Sequence, residues 1–261
     1  MARSALINVM VRAAMKAARK LARDFGEVEN LQVSLKGPAD FVTAADHRSE
    51  EIIRQELELA RPGYSFLMEE SGATEGTDAQ HRWIVDPLDG TTNFLHGIPL
   101  FAISIALERQ GRLQAGVIYN PISDELFSAE RGSGAFLNDR RIRVSARTRI
   151  SEAVIATGIP HRGRGDHGGF LKDLAGVMAV TSGVRRCGAA ALDLAWLAAG
   201  RFDGFWESGL SAWDVAAGAL ILREAGGFIS DGGGDDRILD AGTIIAGNAA
   251  IHRHLLGMIK T

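Results

Sequence analysis

Apolar residues recur every three or four positions near the N-terminus, at Leu6, Met10, Ala13, Ala17 and Leu21. That spacing lines one face of a helix over residues 4–24, and Gly26 stops it. An extended stretch over residues 31–35 follows, then a turn at Lys36-Gly37-Pro38. The run Phe41 to Ala45 leads to Asp46, which stands as an N-cap before a helix over 47–60 that ends at Pro62-Gly63. Tyr64 to Met68 reads as a strand closing at Glu69-Glu70, and residues 72–81 as a polar loop. Trp83-Ile84-Val85 is a short buried strand ending at Asp86. Two longer apolar runs, 101–108 and 113–119, flank Gln110-Gly111-Arg112 and predict a hairpin. Strands follow at 125–130 and 134–137.

Beyond residue 137 the pattern changes. Residues 138–152 are polar and basic, with Arg140, Arg141, Arg143, Arg147 and Arg149. They read as a solvated connection between two lobes, roughly 1–145 and 146–261, of one domain spanning 1–261. After Ala153 to Thr157 comes a loop over 158–169, rich in Gly, Arg and His. Helices over 169–179, 189–200, 212–225 and 248–259 then alternate with strands at 184–187, 202–206, 227–230 and 243–246. The first lobe is helices plus an antiparallel-rich sheet; the second is an α/β layer. There is no internal repeat and no low-complexity tract.

Composition narrows the function classes. With 46% hydrophobic and 23% charged residues, 261 residues can bury a sizeable core. A net charge of −3 supplies no global basic footprint, so a nucleic-acid or transcription partner is not indicated by composition. The one cysteine, Cys187, excludes an internal disulfide and a cysteine-based metal site, which fits a cytoplasmic protein. No apolar run reaches membrane-spanning length. Basic residues run from Arg3 to Arg23 with no acid before Asp24, as in a transit peptide. The helical spacing and the lack of a signal-peptide apolar core favour a docked helix instead.

The candidate chemistry starts where the short strand delivers Asp86 and Asp89 into a turn, Asp86-Pro87-Leu88-Asp89-Gly90-Thr91-Thr92. Charge at the end of a buried strand is costly unless neutralised. A divalent cation does this economically, and carboxylates plus a turn carbonyl such as that of Leu88 suit Mg²⁺. Gly90 lets backbone approach a ligand closely, and the Thr91 and Thr92 amides and hydroxyls can donate to phosphate oxygens. The competing reading is an Asp-rich surface turn that caps the next element. Asp214 opens an Ala-rich helical run, where an acid complements the helix dipole without any further role. Glu69 and Glu70 are adjacent acids at a strand end, ordinarily solvated. Glu207 closes the apolar pair Phe205-Trp206, and is either a buried acid with a purpose or a solvent-facing strand end.

The stretch Asp86 to Phe94 resembles, without gaps, the signature of the inositol monophosphatase family of Mg²⁺-dependent, lithium-sensitive phosphatases. Trp213-Asp214-Val215-Ala216-Ala217-Gly218 resembles the family's second signature, at the expected distance. The resemblance covers roughly Lys36 to the C-terminal helix. It implies an α+β fold, a layered α-β-α-β-α sandwich of the inositol monophosphatase and fructose-1,6-bisphosphatase type, with the active site between the two halves. It implies two or three Mg²⁺ per site: one on Glu69, Asp86 and the Leu88 carbonyl, a second on Asp86, Asp89 and Asp214, and a weak third near Glu69. Catalysis then falls to Asp46, Glu69 and Thr91, with Asp46 and Thr91 forming a hydrogen-bonded pair that orients and deprotonates the attacking water. The substrate would meet Asp89, Gly90, Thr91, Ala190, Glu207 and Asp214, with the Gly90 and Thr91 amides on its phosphate, Ala190 beside its ring and Glu207 on its hydroxyls. Lys36 lies on the loop that covers the metal site in the family. Met68 departs from the family's Gly before the paired glutamates, which removes no ligand. Members are commonly homodimers, and a cytoplasmic homodimer is expected here.

The implied activity is Mg²⁺-dependent hydrolysis of a phosphate monoester, inositol 1-phosphate first, by a metal-activated water. No Ser, Cys or His nucleophile is required, and His96 reads as a loop residue. Two alternatives stand. One is a different small phosphate as substrate: fructose bisphosphate, adenosine bisphosphate or histidinol phosphate. The other is an interaction protein of bacterial RNA metabolism that keeps the fold and acts through Arg140 to Arg149 and Arg162 to Arg164.

Overall fold

The computed structural model describes residues 3–27, 33–37, 40–161, 165–240 and 242–259. The apolar stripe at the N-terminus does form a helix, α1 (Ala5–Phe25), capped by Ser4, whose Oγ accepts from the Ile7 amide at 3.1 Å. Its buried face, from Ile7 through Met10, Ala13, Ala14 and Ala17 to Leu21, packs beside α2 (Ala44–Ala60). α2 begins three residues earlier than the sequence suggests. Thr43, not Asp46, is the N-cap: its Oγ1 accepts from the Ala45 amide at 3.0 Å, while Asp46 reaches back to the Thr43 amide at 2.8 Å. This reciprocal capping box makes Asp46 the third helical residue. Ahead of it, β1 (Val33–Gly37) and β2 (Asp40–Thr43) form an antiparallel hairpin. Residues 31 and 32, Pro38 of the expected turn, the Lys36 side chain and Arg162 to Arg164 lie outside the described residues.

The apolar runs assemble an eight-stranded sheet whose central strands are buried on both faces. Its strands are β3 (Tyr64–Met68), β4 (Gly72–Thr74), β5 (Asp78–Asp89), β6 (Ala102–Arg109), β7 (Arg112–Asn120), β8 (Glu125–Glu130), β9 (Gly134–Leu137) and β10 (Arg140–Ile142). The order is β10-β9-β8-β7-β6-β5-β3-β4, antiparallel except for the β3–β5 pair. Two expectations are corrected. The polar loop over 72–81 holds β4, an edge strand paired with β3, and the start of β5, because neighbouring strands supply ladder bonds to a polar segment. The basic connection after residue 138 begins as the edge strand β10, where charged side chains are tolerated and Arg141 lies over the Phe136 ring at 5.9 Å.

Strand alternation sends Trp83, Val85, Ile103, Ile105 and Val117 toward α1 and α2. Ile84, Ala102, Ala106, Ile118 and Phe127 face the other way, onto α5 (Ala190–Ala198) and α6 (Ala212–Glu224). Both helices lie between two sheets, so α6 is buried at every position from Val215 to Leu222. Close approach needs small residues: a Cβ on Gly116 of β7 would fall 2.9 Å from the Ala217 carbonyl oxygen. Behind them stands a mixed five-stranded sheet of β11 (Val154–Thr157), β12 (Gly183–Arg185), β13 (Gly204–Ser208), β14 (Phe228–Asp231) and β15 (Thr243–Gly247), in the order β12-β11-β13-β15-β14. Glu207 lies within β13, paired with Ile244, rather than closing the strand. Helices α4 (His167–Met178) and α7 (Ala249–Met258) cover the outer face. The result is the expected α-β-α-β-α sandwich. Among the described residues no helix is long and apolar enough to cross a membrane.

Candidate active site

Asp86 and Asp89 are three residues apart, a spacing that puts side chains on opposite faces of a regular strand. The pairing of β5 with β6 shows why they share a face here. Asp86 pairs with Ser104 and Asp89 with Ala102, so three steps on β5 match two on β6. The extra residue is a bulge at Pro87-Leu88, where proline has no ladder proton to lose. The Asp86 carboxylate accepts from the Leu88 amide at 2.9 Å, and Ser49 Oγ holds the Pro87 carbonyl at 2.8 Å. Both aspartates therefore point to the side of the sheet on which α5 and α6 pack.

The turn after β5 is held by glycine and aromatic packing. Gly90 has φ of +93°, and a Cβ there would meet the Leu100 carbonyl oxygen at 2.9 Å. A short helix, α3 (Thr91–Leu95), follows, with Phe94 buried edge-on against Phe101 at 5.1 Å. Asn93 donates to the carbonyls of Leu100, at 2.7 Å, and Cys187, at 2.8 Å, which ties this turn to the chain entering α5.

Asp46 divides its two oxygens. Oδ2 accepts from Thr43 Oγ1 and from the Thr43 amide; Oδ1 accepts from Thr91 Oγ1 at 3.0 Å. Thr91 Oγ1 also lies 3.2 Å from the Leu88 carbonyl. A hydroxyl has one proton, so donation to Asp46 leaves its lone pairs for a further donor such as water. Asp214 repeats the capping device in α6, where its Oδ2 accepts from the Ser211 amide at 2.7 Å. Asp46 and Asp214 are thus both third residues of their helices, aimed from opposite sides at the β5 bulge.

Asp86, Asp89 and Asp214 offer ligand oxygens that all lie within 4.8 Å of one another. Asp89 Oδ2 also accepts from the Ala191 amide, in the first turn of α5, at 2.7 Å. Glu69, next after β3, brings its carboxyl to hydrogen-bonding range of Asp86. Burial, then Glu69, Asp89 and Asp214, push Asp86 well above the ordinary carboxylate range; burial and then Asp214 do the same to Asp89. Asp46 is raised less, because the hydrogen bonds from Thr43 and Thr91 oppose its burial. Such mutually repelling, buried carboxylates fit a hard divalent cation, and an all-oxygen donor set matches magnesium-type rather than thiolate-type coordination.

The cleft continues toward β13. The carboxyl of Glu207 is held against the Gly158 backbone, where a Cβ would come within 1.9 Å of it. Burial, and next the charges of Asp193, Asp214 and Asp89, raise Glu207 well above its usual value, with Arg186 opposing. Ala190 opens α5 directly after the Cys187-Gly188 turn that Asn93 holds. Burial pushes the Cys187 thiol up to about 12, so it stays protonated.

Sequence reasoning passed over Ser49 and Gly158, whose partners are remote in the chain, and Asp193, which meets the Cys187 thiol six residues away. Asp193 is 1% exposed, and neither carboxylate oxygen has an N–H or O–H donor among the described residues; burial raises it to about 7. A carboxyl raised in the folded state contributes its stability at low pH. That contribution is lost as pH climbs from the unfolded value near 4 through about 7. The melting temperature of Asp193→Asn is therefore expected to fall less than that of the unsubstituted protein between pH 5 and 8. Parallel melting curves across that window would refute the assignment.

Comparison with known proteins gives a consistent picture. The model of the inositol monophosphatase family matches residues 2–260. An inositol-1-monophosphatase of Mesorhizobium japonicum is 68% identical over 260 residues, covering 100% of this chain and 98% of that protein. A Nus factor SuhB of Pseudomonas aeruginosa is 43% identical, covering 98% and 96%. The crystal structure of the extragenic suppressor protein suhB from Bartonella henselae superposes with a TM-score of 0.96 at 64% identity, covering 99% of each chain.

Proposed function

The chain belongs to the inositol monophosphatase family, and from that premise we propose that it hydrolyses inositol 1-phosphate to inositol and phosphate with Mg²⁺. It is a phosphoric monoester hydrolase. The observation that carries the reading is the convergence of the Thr91–Asp46 pair with the Asp86, Asp89 and Asp214 cluster at the β5 bulge. Mg²⁺ bound by Glu69, Asp86, the Leu88 carbonyl, Asp89 and Asp214 would supply charge for the phosphoryl oxygens and acidify bound water. The protein's own groups do the rest. Thr91 accepts the proton of the attacking water as it donates its own to Asp46. The Gly90–Thr91 turn receives the phosphate, since the first amides of α3 have no partner within the helix. Asp89, Asp214 and Ala190 border the ester oxygen and ring, and Glu207 accepts from ring hydroxyls.

Phosphate release from inositol 1-phosphate, with Mg²⁺ and with Li⁺ added, is the direct test. Activity that needs Mg²⁺ and is suppressed by Li⁺ supports the reading. Turnover of fructose bisphosphate, adenosine bisphosphate or histidinol phosphate alone would keep the chemistry and replace the substrate. Glu207→Gln is expected to raise KM for inositol 1-phosphate roughly tenfold or more. It should leave phenyl phosphate, which lacks ring hydroxyls, nearly unchanged. Equal effects on both substrates would remove Glu207 from the substrate's hydroxyls.

The relatives named Nus factor SuhB favour a second reading, a role in bacterial RNA metabolism alongside catalysis. Much of the basic stretch is engaged at home, which weighs against it as the contact: Arg147 pairs with buried Asp203, and Arg149 with Glu152. We further expect a cytoplasmic homodimer, and sedimentation of the purified protein by ultracentrifugation would check the dimer by its mass.

A further inference from the structure

A second polar crevice opens between the two sheets at the end of α6 away from the carboxylate cluster. Asp214 stands in the first turn of α6 and Arg223 in its last turn. Nine residues at 1.5 Å rise place the two about 14 Å apart. The crevice has a volume of about 470 Å³ and brings together five guanidinium groups, those of Arg82, Arg112, Arg131, Arg223 and Arg237. They come from β5, the start of β7, the segment after β8, α6 and the segment after β14. No stretch of sequence announces the cluster.

The five arginines are not equally engaged. Arg82 is held by Glu108, with Nε at 2.8 Å and Nη2 at 2.6 Å. Arg223 pairs with Asp236, and Arg237 lies 3.5 Å from Asp231. Arg131 gives only its Nε, to the Leu113 carbonyl at 2.7 Å, so its two terminal nitrogens are held in place by backbone yet uncommitted. The Arg112 side chain has no hydrogen bond or ion pair among the described residues. Against these two forks the rim presents one carboxylate, Asp240, without a bonded guanidinium. Two uncommitted planar forks facing one cavity match the oxygens of phosphate groups, which guanidinium binds in pairs of parallel hydrogen bonds. The volume falls in the range of small-molecule sites.

We propose that this crevice is a second anion site, which takes a small molecule bearing two or more phosphate groups through Arg112 and Arg131. It is separate from the hydrolytic centre in place and in requirement. The carboxylate cluster repels phosphate unless a divalent cation is bound, whereas the arginine crevice needs none.

That difference sets the experiment. Binding of inorganic pyrophosphate and of ADP is measured by calorimetry on the full chain in EDTA. Binding of either is expected, weakening as salt is raised. The Arg112→Ala/Arg131→Ala double variant is expected to weaken it at least about tenfold, with phosphate release in Mg²⁺ retained. The Arg112→Lys/Arg131→Lys variant keeps the charge and loses the fork, and should fall between. ADP binding with no pyrophosphate binding would assign the site to a nucleotide; the reverse would assign it to the inorganic anion. No binding of either by the unsubstituted protein, or binding that both double variants retain, overturns the proposal. Loss of phosphatase activity on inositol 1-phosphate would bear only on the proposed reaction, since the binding is measured without metal.

Discussion

Asp86→Asn is expected to lower Mg²⁺-dependent phosphate release by about a thousandfold or more. Asp86 is 1% exposed, faces Asp89 and Asp214 across less than 4.8 Å, and meets the Glu69 carboxyl as well. It meets Glu69 on one side and Asp89 and Asp214 on the other. An amide has nearly the same shape but no charge and one acceptor oxygen fewer. The substitution should therefore leave the bulge intact, because the Leu88 amide still finds an oxygen. Without metal, the variant is expected to melt no lower than the unsubstituted protein, since a source of repulsion has gone. With Mg²⁺, the unsubstituted protein should gain stability by mass action and the variant much less. Thermal melts with EDTA and with Mg²⁺, beside phosphate release, separate these effects. A variant that keeps a tenth of the activity, or the full Mg²⁺-induced rise in melting temperature, would show that Asp86 is not the central ligand.

Thr91→Val is expected to reduce kcat by about a hundredfold to ten-thousandfold, the usual range for a positioned proton acceptor. Valine matches threonine in shape but cannot accept from water or donate to Asp46. Thr91→Ser keeps the hydroxyl and should recover most of the rate. Asp46→Asn should lose a similar factor, and in addition about 0.5–1.5 kcal/mol of stability, because one of the two oxygens that accept from Thr43 and Thr91 becomes an amide nitrogen. The Mg²⁺ concentration giving half-maximal activity should be unchanged in Thr91→Val, since the aspartate cluster is untouched. Equal rates for the Val and Ser variants would rule out the hydroxyl as the proton's route.

How much of this was legible in the chain differs from residue to residue. The α1 stripe from Leu6 to Leu21 gave its helix almost to the residue, because one face of a surface helix is patterned by a local period. The hairpin of β6 and β7 was equally plain, from two apolar runs around Gln110-Gly111. Asp46 was placed at the right helix end but in the wrong position. A Thr three residues before an Asp is itself a capping-box pattern, and the apolar run before it hid the signal. The strand in 78–81 was missed because its polar residues gain partners only when β3 and β6 dock on either side. Glu207 was read as a strand end because β13 gains its last two residues from pairing with β15.

The sequence by itself supplied the candidate donor types: four aspartates, two glutamates, a threonine and a glycine, of which Asp86, Asp89, Gly90, Thr91 and Asp214 lie in the two stretches that resemble the family and Asp46, Glu69 and Glu207 outside them. Local pattern also separated an antiparallel-rich first half from an alternating helix-and-strand second half near residue 140, whereas the five-layer stacking came only with the family resemblance. Only the tertiary structure decided that Asp86 and Asp89 face one way, because the bulge exists only in the register with β6. Only packing decided that Asp193 was buried with no N–H or O–H donor among the described residues and that five scattered arginines came to share one crevice. The physical reason is the same in each case. Local preference depends on neighbours in the chain, whereas desolvation and charge pairing depend on neighbours in space, which the chain acquires only when its two sheets close on α5 and α6.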